Sequence, residues 1–172
     1  MRLFPLALAG LLACRAASGR APADGTLEAS WRDSLGTAQI SAPAEARWCA
    51  RDTLLELIAV RNDTVVGLAL LTRDSLKAEG FPLFQPSIFA PWRPQATAAL
   101  RVFNENTLRS FQSMWGRVQL TEVAGNRVSG TLDAHLKNFS GPDSLHVTGR
   151  FTRVPVRSAT GICGRENKPA AG

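Results

Sequence analysis

The 172-residue chain has only two histidines, His135 and His146. They flank a turn on segments that read as strands, and Asp133 lies two positions before His135 on the same, less apolar face. Two imidazoles and a carboxylate form a donor set suited to a transition-metal ion. With a serine they could instead serve a hydrolase. The simpler reading is a solvated strand face, where polar side chains belong, so no metal or cofactor is expected. The chain has no Gly-x-Ser-x-Gly elbow, no phosphate-cradling glycine loop, no Gly-x-Gly-x-x-Gly fingerprint and no His-Glu-x-x-His. The expectation is therefore a non-enzymatic protein, with an envelope hydrolase on His135 and His146 as the alternative.

The N-terminus, MRLFPLALAGLLAC, carries a different kind of chemistry. Arg2 supplies a short positive region, and the apolar stretch 3–13 follows it. That stretch is about half of the ~20 residues a membrane span needs, which fits a removable export signal. Leu11-Leu12-Ala13-Cys14 resembles the lipobox of bacterial lipoproteins. The resemblance implies that Cys14 is fatty-acylated, becomes the first mature residue and ties the protein to a membrane. Arg15 after the cysteine is similar to the outer-membrane class. Cleavage after Gly19, in Ala17-Ser18-Gly19, is the alternative and leaves a periplasmic or secreted protein.

Lipidation of Cys14 leaves Cys49 and Cys163 as an even pair in an oxidising compartment. A zinc site needs about four ligands, usually closely spaced, and a redox pair favours Cys-x-x-Cys. A structural disulfide is therefore expected. The excess of 20 Lys+Arg over 14 Asp+Glu gives +6, too little to imply nucleic acid, and export argues against it as well. Arg150, Arg153 and Arg157 read either as a basic stripe toward anionic lipid or polysaccharide, or as a solvated strand face.

Period-two patterning must position these residues. Leu27, Ala29 and Trp31 alternate with polar residues in the first strand. TLLELIAVR and TVVGLALLT flank the turn residues Asn62-Asp63. Both runs are apolar at nearly every position, so both strands should be central and covered on two faces. In a second hairpin around Ala124-Gly125-Asn126, Val128, Gly130, Leu132, Ala134 and Leu136 share one side. After the turn 138–143, Leu145, Val147, Gly149 and Phe151 share another. Asn62-Asp63-Thr64 and Asn138-Phe139-Ser140 fit the glycan-acceptor pattern, but as turn chemistry. Further strands fall near 37–42 and 96–103. Asn106 could cap one short helix near 105–114, with Leu108, Phe111 and Trp115 on one face at i, i+3 and i+7. Trp31, Trp48 and Trp115 read as core residues.

The expected fold is all-β, an antiparallel barrel or two-layer sandwich of about eight to ten strands. Its divisions are a signal at 1–13, a tether at 14–24, the β-domain at 25–163 and a disordered tail at 164–172. The Val-x-Gly-x-Leu/Phe strands resemble those of small all-β lipoproteins of uncharacterised families in bacterial envelopes. Pro82, Pro86, Pro91 and Pro94 forbid a regular helix over 80–95. There Phe81, Phe84, Phe89 and Trp92 either present an apolar patch to a ligand or partner, or plug an open barrel end. The functional expectation is a lipid-anchored envelope domain binding a small apolar ligand, an envelope polymer or a protein partner. An interior cavity would favour the small ligand, and a filled core with exposed aromatics would favour the protein.

Overall fold

Alternating strands give each segment one dry side, and eight such strands can hide their dry sides by rolling into a barrel. The computed structural model describes residues 23–33, 36–86, 93–104, 106–159 and 163. They form β1 (Thr26–Asp33), β2 (Gly36–Cys49), β3 (Leu54–Arg61), β4 (Thr64–Leu71), β5 (Gly80–Pro82), β6 (Gln95–Asn104), β7 (Thr107–Ala124), β8 (Arg127–Asn138) and β9 (Ser144–Ala159). All but β5 join in a closed antiparallel ring: chain neighbours pair in turn and β9 pairs back onto β1. Of the two architectures left open by the sequence, the barrel is the one formed.

The dry faces fill its interior. Leu27, Ala29 and Trp31, the β8 row Val128, Leu132, Ala134 and Leu136, and Leu145, Val147 and Phe151 are each 6% exposed or less and belong to one cluster. Trp48 packs partly buried against the same cluster. Eight strands enclose about the width that side chains can fill. At the seam, Ala46–Cys49 of β2 runs parallel to Val156–Ala159 of β9. There the disulfide Cys49–Cys163 closes with its Cα atoms 6.0 Å apart, within the range a bridge requires.

At 18 residues β7 outruns the 10-residue β6, and β5 covers part of the excess by pairing Gly80–Pro82 with Gln119–Arg117. Phe81 and Leu83 thereby enter the core. The buried Ser113 hydroxyl donates to Phe84 O and accepts from Ala98 N–H, pinning the proline-rich connection to the barrel.

Two expectations are corrected. Residues 107–124 form strand β7, not a helix. Cross-strand pairing with β6 and β8 outweighs the weak local helical pattern, so Phe111 points inward while Leu108 and Trp115 stay exposed. The apolar strands β3 and β4 are not covered on both faces: every barrel strand keeps an outer side, and Ile58 and Val60 stand 49% and 52% exposed there. No helix among the described residues is long and apolar enough to cross a membrane.

One end of the barrel is held by Arg109 on β7. Its Nη1 donates to Asp33 Oδ2 at 3.0 Å, its Nη2 lies 3.6 Å from Asp143 Oδ2, and its guanidinium sits 5.2 Å from the centre of the buried Phe111 ring. The Asp33 carboxylate is only 13% exposed, so this pair is less screened than a surface ion pair. Arg109→Ala is expected to lower stability by about 1–2 kcal/mol, read as a lower urea midpoint.

Candidate functional site

Direct cross-strand partners stand about 5 Å apart, so a barrel turns distant residues into rows. Trp115 of β7 pairs with His135 of β8, and His135 pairs with His146 of β9. The rings stack in that order. Trp115 and His135 centroids lie 3.4 Å apart at 16°, and His135 and His146 lie 4.4 Å apart at 11°. His146 Nε2–H donates to Asp133 Oδ1 at 2.8 Å. Burial holds the His135 imidazole below its ordinary value; the His146 charge pushes the same way and Asp133 opposes both. One donor atom each from Asp133, His135 and His146 lie within 4.8 Å of one another.

Trp115 reaches this row through a register shift. Phe111 and Ser113 point inward, but the irregularity between Ser113 and Trp115 reverses the alternation, so Trp115 faces out at 59% exposure. This corrects the expectation that Trp115 is core. The closeness of His135, His146 and Asp133 was legible from the turn between their strands; the indole above them was not.

The other expected residues are placed differently. Phe81 is fully buried in the core cluster and so is not part of a surface patch, and Phe84 is half-buried. Phe89, Trp92 and Cys14 lie outside the described residues. Of the basic stripe, Arg150 pairs with Glu28 at 2.7 Å and Arg153 with Asp24 at 3.0 Å, so only Arg157 is left without a described acidic partner. Cys49 and Cys163 also lie near Glu56, but their sulfurs are bonded to each other and offer no thiolate.

Among the described residues, the outer surface carries two grooves of note. β2 pairs with β3 only from Ala44 to Cys49, and its first half pairs with β1 alone. A groove of about 1140 Å³ runs beside that half, lined by Ser30, Gln39, Ser41, Arg61, Thr148 and Arg150 among others. Arg61 Nη1 donates to Ser41 O across it. The second groove, about 560 Å³, crosses β2, β3, β4 and β6. Its floor is the cross-strand row Ile58, Gly67 and Ala99, with Ala69 beside it and the Arg47–Glu56 ion pair at 2.6 Å on one wall. Sequence reasoning missed this groove, although the unbroken apolar runs in β3 and β4 were its signal.

The described residues define a closed eight-stranded antiparallel barrel with one extra strand and an apolar core. Comparison with known protein families, curated proteins and solved structures finds no match for the chain.

Proposed function

We propose that this is a non-enzymatic protein of the bacterial envelope, exported by its N-terminal signal and anchored through acylated Cys14, whose barrel binds a protein partner on its outer surface. The observation that carries this reading is the apolar outer face of β3 and β4. The interior is packed with apolar side chains, yet Ile58 and Val60 face outward beside a groove floored by Gly67, Ala69 and Ala99. Exposed apolar side chains gathered beside a concave floor mark interaction surfaces more often than isolated ones do. A filled core also argues against a small apolar ligand held inside the barrel.

A photoreactive side chain placed at position 58 in the exported protein should give a discrete protein adduct, and one at Thr131 should not. Ile58→Asp should weaken capture of that partner at least about tenfold, a loss of roughly 1.4 kcal/mol, with the unfolding midpoint unchanged. Equal adducts from both positions would defeat the proposal. An envelope polymer is the second reading, favoured by the polar lining of the larger groove; retention on envelope glycan lost in Arg61→Ala would select it.

A further inference from the structure

We propose that Asp133, His135 and His146 form a surface site for one divalent transition-metal ion of the zinc and copper class. This goes beyond the partner-binding reading and does not depend on it. The argument begins with the register. His135 and His146 are direct partners on β8 and β9, which places their imidazoles side by side without any loop to order. Asp133 is two residues along β8 on the same outer face, and its carboxylate already meets His146 Nε2 at 2.8 Å. The three donor atoms lie within 4.8 Å of one another. Bonds of about 2.0–2.1 Å to a central ion place neighbouring ligands roughly 3.3 Å apart in tetrahedral geometry. Closing that gap requires the His135 and His146 rings to turn out of their parallel stack, 11° between planes, about their side-chain torsions, so that both lone pairs converge on the ion.

The donor chemistry selects the ion. Two neutral imidazoles and one carboxylate suit zinc and copper, whereas calcium and magnesium take oxygen ligands. With three protein ligands on an open face, a further position remains for water or a partner's side chain. The stacked Trp115 ring lies against one side of His135. That contact resembles the orienting role of groups just outside a metal's ligands. The donor group Cys49, Glu56 and Cys163 does not compete, because both of its sulfurs are committed to the disulfide.

The test is calorimetric titration of the exported, disulfide-bonded full chain in detergent with zinc chloride, and separately with copper(II) chloride. One ion per chain is expected for each. His135→Gln and His146→Gln should each weaken binding at least about tenfold, and the double variant should abolish it. Copper(II) should also quench tryptophan fluorescence on the same isotherm, and Trp115→Phe should remove that component while leaving the stoichiometry at one. All three ligands point outward, so these variants should keep the native circular dichroism. Saturable binding that survives in the double histidine variant, or no binding by the native chain, would overturn the assignment.

Discussion

Replacing Cys49 and Cys163 together by serine is expected to lower stability by about 4–5 kcal/mol, with the thermal midpoint falling by roughly 10–20 °C. The bridge spans 114 positions, and in the chain-entropy model a loop that long removes much of the freedom of the unfolded chain. Its position adds a second effect. The Cys49 sulfur sits where β2 runs parallel to β9 for only four residue pairs, Ala46 to Cys49 against Val156 to Ala159. Parallel pairing is slightly less stable per residue than the antiparallel pairing of the ring, and the bridge holds this short stretch shut. Hydrogen exchange should therefore accelerate first at Val156–Ala159 in the serine variant, ahead of β7 and β8. The urea m-value should rise as well, because an uncrosslinked unfolded chain exposes more surface. An unchanged midpoint together with unchanged exchange at the seam would count against a stabilising bridge.

How much of this was legible in the sequence depends on where the alternation stayed regular. The β8 row Val128, Leu132, Ala134 and Leu136 and the β9 row Leu145, Val147 and Phe151 are buried as their period-two pattern requires, because those strands keep one parity along most of their length. The disulfide followed from cysteine arithmetic. The misreadings concentrate in β7. A strand with irregular register at Ser113/Trp115 and again at Leu120/Glu122 changes its inward parity twice, so no single alternation fits 107–124. A pattern that fails as period two can imitate period 3.6 over one short window, and Leu108, Phe111 and Trp115 did so. The outer apolar face of β3 and β4 was misassigned for another reason. An apolar run specifies two dry sides, but it cannot say whether the second meets a layer of the same chain or something else. The histidine pair was placed correctly because one turn sets its register. The indole on top depends on a bulge whose one local mark is Gly116, an isolated glycine inside the strand.

Gly116→Ala tests that bulge, and its effect should be large for a single methyl group: a loss of about 3–4 kcal/mol. Gly116 has φ +131°, a conformation L side chains rarely adopt, and a Cβ there would lie 2.2 Å from Asp133 O and 2.9 Å from Ala134 Cα. Both obstacles are backbone, so β7 and β8 would have to separate or the bulge rearrange. Gly67→Ala is the matched control. Nothing lies within 4 Å of its added Cβ and its φ is ordinary, so it should be neutral or stabilise by up to about 1 kcal/mol through the unfolded chain. The two variants also separate the two surface features. Gly67→Ala raises the floor of the β3–β4–β6 groove without touching the histidines. Gly116→Ala should move Trp115, the preceding residue, off His135, so the His135 imidazole should lose its indole neighbour in whatever fraction still folds. Equal midpoints for the two alanine variants would mean that β7 can shed its register shift at little cost. In that case the Trp115–His135 stack would be incidental to the strand pairing, not built by it.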